Sequence, residues 1–328
     1  MNALANVYGS LLAVRPPVPA TVNKAGANYK SEVTHLTYSP RRAYDEWLSI
    51  CEGIVAFGGD AVFDLEPEDE PLLDRGDLAV EADGTLRVAS SGERVGHMDG
   101  VMTGRVFAAN GPWVVVEDGL IRALLPNMLS HRVAEEAYYR RLLEALAEHA
   151  GCSLAVEKNP ARWEGMADVA PVIGDGDIEG RVVLTYTVAG HYDAGVGPKT
   201  MRSSREGVEH AAEFAGVPPR ARVFAELVYP HFHGDTVHFG ARPPRSLGGG
   251  AKLVHYAGGL FGDGAARVAE ALGPGAIVPI GREDAIDNYC GNSRQVQGGV
   301  LVPDGASDAF VASMDKLGLR TRKVPLFE

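Results

Sequence analysis

The 328-residue chain has three cysteines, Cys51, Cys152 and Cys290, and no two of them are spaced as CxxC. That argues against a disulfide framework or a zinc site of the CxxC kind, and it fits a reducing compartment. No apolar run approaches the roughly 20 residues that span a bilayer. The apolar N-terminal stretch MNALANVYGSLLAV has no basic residue ahead of it, as a signal peptide would. Basic residues are in deficit: 31 Lys and Arg face 43 Asp and Glu, a net charge of −12. Such a field repels nucleic acid and anionic membrane surfaces and mildly favours a cationic ligand. These deficits predict a cytoplasmic protein with neither nucleic acid nor membrane as partner. What is present, 45% hydrophobic and 23% charged residues, is ordinary globular composition.

Five passages run from amphipathic helix through a glycine break to a strand. They are RRAYDEWLSICEGIVAFGGDAVFDLEP, VAEEAYYRRLLEALAEHAGCSLAVEK, SREGVEHAAEFAGVPPRARVFAELVYP, GAARVAEALGPGAIVPIG and SDAFVASMDKLGLRTRKVPLF. Gly151, Gly216 and Gly318 each follow a last periodic residue, where glycine takes the left-handed conformation at little cost. Between the helices lie paired β-rich runs with Gly/Asp or Gly/Pro tips, which read as hairpins. GDGDIEG at 174–180 has the colouring of a calcium loop but not its spacing, and reads as one of those tips. Repeated strand, strand, helix, strand units predict one α/β domain over residues 1–328, closed on itself, with 1–39 outside the clear repeat. A generic α/β sheet with chance similarity between units is the simpler alternative.

Residues 231–239, HFHGDTVHF, crowd three histidines and an aspartate together. As a strand of period two, His231, His233 and Asp235 share a face, with His233 and Asp235 about 7 Å apart along the backbone. A metal held by His231, His233, His238 and His255 is one reading. It is weakened because His238 falls on the opposite strand face. A proton-transfer group beside a carboxylate, suited to a cationic substrate, is the other.

The fivefold unit together with FHGDTVHF resembles the guanidino-group-modifying (pentein) superfamily, nearest its arginine dihydrolase, dimethylargininase and amidinotransferase branch. His233, Gly234, Asp235 and Thr236 match its His-x-Asp-Thr motif, and Glu164, Gly165 and Asp168 in RWEGMADVAP match Glu-Gly-x-x-Asp. Arg202, Ser203 and Ser204 in KTMRSSREGVEH match its Arg-Ser-Ser stretch, and Asn110 in VFAANGPWV matches an asparagine hairpin segment. The motifs stand in family order and the likeness covers residues 40–328.

The resemblance implies a five-bladed pseudo-symmetric ββαβ propeller with the site on its axis. It also implies a small guanidino substrate, arginine-like, and no metal or other cofactor; a homodimer is compatible with it. His233 is expected as general acid and base, with Glu164 orienting it. Asp168 and Asp235 are expected to hold the guanidinium, a planar cation with paired N–H donors. Asn110, Arg202 and Arg132 are expected to bind the rest of the substrate. In NMLSHRVAEE, Met128 stands where the branch has another arginine. Arg132 has a plainer reading, pairing with Glu135 or Glu136 on the helix surface.

The implied reaction is hydrolysis of a C–N bond through a cysteine thiouronium intermediate. That cysteine is expected after a glycine-rich turn in a last strand beyond Glu328. Cys290 in AIDNYCGNSRQV reads as a packing cysteine, as do Cys51 and Cys152. Amidinotransfer to an acceptor amine, or guanidinium binding without catalysis, are the alternatives.

Overall fold

Helix starts follow capping chemistry. Ser39, Ser204 and Ser307 each accept a hydrogen bond from the backbone N–H three residues on, at 3.4, 3.1 and 3.1 Å. These satisfy donors that a helix cannot pair internally. The computed structural model describes residues 11–14, 37–63, 74–81, 85–97, 110–129, 132–172, 180–191, 201–244, 246 and 250–325.

The first part comprises β1 (Leu11–Val14), β2 (Thr37–Tyr38), α1 (Pro40–Ala56), β3 (Asp60–Phe63), β4 (Leu78–Val80), β5 (Thr85–Val88) and β6 (Arg94–His97). β1 and β3 pair in parallel, with α1 between them in sequence, while β2, β4, β5 and β6 form an antiparallel sheet in that order. That second sheet is not visible in the repeat pattern.

Four further units share one topology. The first is β7 (Trp113–Glu117), β8 (Leu120–Leu125), α2 (Ala134–Ala150) and β9 (Ser153–Lys158). The next is β10 (Val169–Val172), β11 (Arg181–Tyr186), α3 (Arg205–Phe214) and β12 (Arg222–Glu226). Then come β13 (His238–Ala241), β14 (Lys252–His255), α4 (Gly264–Leu272) and β15 (Ile277–Pro279), followed by a short α5 (Arg282–Ile286). The last is β16 (Arg294–Val296), β17 (Gly299–Pro303), α6 (Asp308–Lys316) and β18 (Arg320–Val324). In each unit a hairpin pairs antiparallel, and the strand after the helix returns parallel beside the hairpin's second strand.

Helices α1, α3, α4 and α6 bury apolar residues between sheets. Val208 and Ala211 of α3 share a core with Trp113, Val115 and Leu124 of the unit before and with Val182 and Leu184 of their own. Phe239 and Val254 meet Val300, Val302, Phe310 and Met314 of the last unit. Ile54 of α1 meets Val296, Leu301 and Val324. Leu124, Leu184 and Leu253 are fully enclosed, and each such burial stabilises the fold by about 2 kcal/mol. Among the described residues, no helix is long and apolar enough to cross a membrane.

One local expectation is corrected. Residues 231–237 are not strand: they form irregular chain and a 3₁₀ turn over Gly234–Thr236, and β13 begins only at His238. Pro230 has no N–H to give a ladder, and the Gly234 N–H is taken by the Asp168 carboxylate at 2.9 Å. The hairpin tip at 174–179, residues 247–249 and, within 1–36, all but Leu11–Val14 lie outside the described residues.

Candidate active site

Two tight turns meet at the buried centre. One is Gly165–Asp168, entered from Glu164, and the other is Gly234–Thr236, entered from His233. Gly165 has φ 88°, and a Cβ there would strike the Asn110 carbonyl group; at Gly234 a Cβ would strike the Thr185 hydroxyl. Only glycine allows these approaches.

His233 is buried between two carboxylates, with Nδ1 3.0 Å from Asp168 Oδ2 and Nε2 3.5 Å from Glu164 Oε2. Burial opposes its charge, but Asp168 and Glu164 outweigh burial and push His233 up to about 9. At neutral pH it is therefore an imidazolium with a proton on each nitrogen. Asn110 Nδ2 donates to the Glu164 carbonyl at 3.0 Å and lies 3.3 Å from His233 Nε2.

The two carboxylates differ in their partners. Asp168, expected on the guanidinium, is turned inward: Oδ1 accepts from Thr185 Oγ1 at 3.0 Å and from the Gly234 N–H, while Oδ2 accepts from Ser203 Oγ and His233 Nδ1. Its hydrogen-bonding capacity is spent, and it is the group that fixes the imidazole. Glu164 accepts from the Leu129 N–H at 3.1 Å, Arg202 Nη1 at 2.9 Å and Arg132 Nη1 at 3.4 Å. Burial works against its charge, yet His233, Arg202 and Arg132 hold its carboxyl below the usual carboxylate range.

The arginines expected at the substrate end are engaged as well. Arg132 forms a bidentate pair with Glu135, Nε to Oε1 and Nη2 to Oε2, both at 2.8 Å. Glu135 is one of the two partners anticipated, but the pair is buried instead of lying on the helix surface. Arg202, besides Glu164, sits over the Phe232 ring at 5.5 Å.

Asp235 stands apart. It is half-buried, and among the described residues its carboxylate accepts no hydrogen bond; Asn292 Nδ2 contacts only its backbone carbonyl, at 2.9 Å. Burial and the neighbouring Asp168 push it up to about 6, against the pull of His233, Arg294 and Arg132.

Sequence reasoning did not assign Thr185, Glu135 or Phe232 to the centre. Thr185 is a fully buried hydroxyl inside an otherwise apolar strand, and that mismatch was the one signal available for it.

None of the three cysteines is presented as a nucleophile. Cys51 is buried on α1 and burial pushes its thiol up to about 11. Cys152 donates weakly to the Ala150 carbonyl at 3.6 Å. Cys290 is enclosed among apolar side chains, and burial followed by Asp284, 3.7 Å away, pushes its thiol up further. A raised pKa keeps a thiol protonated and unreactive.

Three further histidines, His231, His238 and His255, lie near the His233 turn. Thr236 Oγ1 donates to the His233 carbonyl at 2.6 Å, so His231 Nδ1 donates to that hydroxyl, at 3.1 Å. His238 and His255 face each other across β13 and β14, ring centres 5.7 Å apart. Among the described residues, His231 Nε2 and all four ring nitrogens of His238 and His255 are buried without a hydrogen-bond partner. Burial holds His231 and His255 down at about 4 and, with the two other histidines, holds His238 well below its ordinary value. Among the described residues, no three His, Cys, Asp or Glu side chains are placed to hold a metal.

No family profile and no curated protein sequence matches the chain. Solved structures do. The substrate-bound N-terminal domain of ArgZ, an arginine dihydrolase from the ornithine-ammonia cycle in Cyanobacteria, is 17% identical. It superposes with a TM-score of 0.63 over 96% of this chain and 91% of that domain. Against the whole ArgZ chain the TM-score is 0.59 at 16% identity, and the match spans 36% of ArgZ's length. A dimethylarginine dimethylaminohydrolase is 13% identical with a TM-score of 0.54, over 96% of this chain and 92% of that one. The chain thus has the fold of these pentein enzymes.

Proposed function

We propose that the protein acts on a guanidino compound, hydrolysing a C–N bond at the guanidinium carbon. The observation that carries this reading is a buried imidazolium locked between Asp168 and Glu164, beside the unpaired carboxylate of Asp235. Asp235 can receive paired N–H donors of a guanidinium and place its central carbon near His233. The fold shared with arginine dihydrolases and a dimethylarginine hydrolase supports the same class.

The proposed chemistry needs a thiolate. It attacks the guanidinium carbon, forming a C–S bond; the C–N bond then breaks as His233 gives the departing nitrogen a proton. Water next attacks the thiouronium carbon, His233 takes its proton, and the thiolate leaves. The placement of Cys51, Cys152 and Cys290 supports a nucleophile outside the 328 residues. We further propose a single domain of five units closed as a propeller, which the contact of Ile54 with Val296, Leu301 and Val324 supports.

The same cysteine placement favours a second reading, in which this chain binds guanidinium compounds without turning them over. Amidinotransfer differs from hydrolysis only in whether an acceptor amine or water meets the intermediate. An assay for ureido product, ammonia and released amine, run on this chain and on a longer native version, separates the readings. Turnover by the longer version that is lost in His233→Asn supports hydrolysis. Inactivity of both toward all guanidino compounds, with binding retained, leaves the binding protein.

A further inference from the structure

We propose that the ligand is a guanidinium monocation carrying no carboxylate, an alkylguanidine in chemical class as opposed to a guanidino acid. The inference rests on the guanidinium reading of Asp235 and goes beyond it.

A carboxylate that leaves water needs a cation with donors to spare. Among the described residues the buried centre has three cations, and each is already matched. Arg132 spends Nε and Nη2 on Glu135 and points Nη1 at Glu164. Arg202 is held by Glu164 and lies over Phe232. His233 lies between Asp168 and Glu164. Side-chain exposure of Arg132 and Arg202 is 6% and 5%, so neither presents a face to an incoming ligand.

Among the described residues of the centre, Glu135, Glu164 and Asp168 thus balance Arg132, Arg202 and His233, leaving Asp235 as the surplus charge. A single positive ligand neutralises it. A guanidino acid brings back a negative charge that could be paired only by breaking a buried ion pair, which strands a charge away from water. Met128 offers nothing: it is packed in an apolar cluster with Leu125, Tyr138, Tyr139 and Leu143. Arg294 reaches Asp235 with its field but stands exposed at the rim, where solvent screens a contact to a ligand.

Calorimetric titration of the chain at pH 7.5 with n-butylguanidinium, 4-guanidinobutanoate and L-arginine tests this, since all three carry the same cation on a similar chain. The expected result is affinity for n-butylguanidinium at least tenfold above that for either acid, and its loss in Asp235→Asn. Equal or tighter binding of L-arginine or 4-guanidinobutanoate overturns this inference and leaves the guanidinium reading standing. Binding of none of the three, or butylguanidinium affinity unchanged in Asp235→Asn, overturns both.

Discussion

At the scale of single residues, the role proposed for Asp235 predicts a pH response. Because burial lifts it to about 6, guanidinium affinity should be flat above pH 7. It should fall as pH drops through about 6, approaching tenfold per pH unit, since only the carboxylate binds. Titrations from pH 5 to 8 check this, and a flat profile would sink the assignment. The same lift is a cost to the empty protein: a buried carboxyl that ionises only reluctantly destabilises the fold above the pH at which the unfolded chain ionises. Asp235→Asn should therefore raise Tm at pH 7.5 by a few degrees, on the order expected for a protein of this size, while abolishing binding. Cys290→Ser, by contrast, should leave ligand affinity unchanged, because the thiol faces Asp284 and apolar neighbours; a loss of affinity beyond tenfold would put Cys290 at the site. The short dense motif drew attention in sequence to His233 and Asp235, and the structure places His233 against Asp168 and Glu164. The inward turn of Asp168 was not legible there, because it depends on Thr185 and Ser203, whose approach is set by strand pairing and a distant turn.

Among elements, the start of α2 is the strongest test of the buried charge network. Glu135 lies in its first turn, fully buried, and grips Arg132 with both oxygens. Removing one partner of such a pair leaves the other charge stranded, at a cost of about 3–5 kcal/mol. Glu135→Ala should lower the denaturation midpoint accordingly and weaken ligand binding, as Glu164 loses part of its support. Denaturant unfolding and titration on one sample read both, and a change below about 1 kcal/mol means the pair is not under strain of burial. The helices themselves were readable because apolar spacing, serine caps and the following glycines agree: Gly151, Gly216 and Gly318 take φ of 62°, 70° and 74°. The sheet of β2, β4, β5 and β6 was not readable, since its strands are two to four residues long, too short for alternation to register.

For the molecule as a whole, several buried titrating groups pull stability in different directions. His231, His238 and His255 are depressed, so the unfolded chain binds more protons than the folded one between about pH 4 and 6.5, and stability is lost as pH falls through that window. Asp235 is raised and acts oppositely there, but it is one group against three. His233 is raised to about 9, so its contribution is present below about pH 6.5 and fades as pH rises toward 9. Stability should thus peak near pH 6.5–7 and fall on both sides. Thermal melts from pH 4 to 9 test this, and stability that keeps rising below pH 6 would contradict the neutral burial of the three histidines.

The seam between α1 and the last unit has a bearing on how the chain folds. Glu52 and Arg322 are ion-paired 270 positions apart, and beside them Ile54 packs in one apolar cluster with Val296, Leu301 and Val324. During synthesis α1 emerges long before those residues exist, so its Ile54 end has to wait for nearly the whole chain, while Ala43 meets Leu78 and Val88 early. Contacts of such separation close late and slow the final step. In refolding experiments Leu301→Ala should speed unfolding while leaving the early phases untouched, marking this seam as the last to close and the first to open.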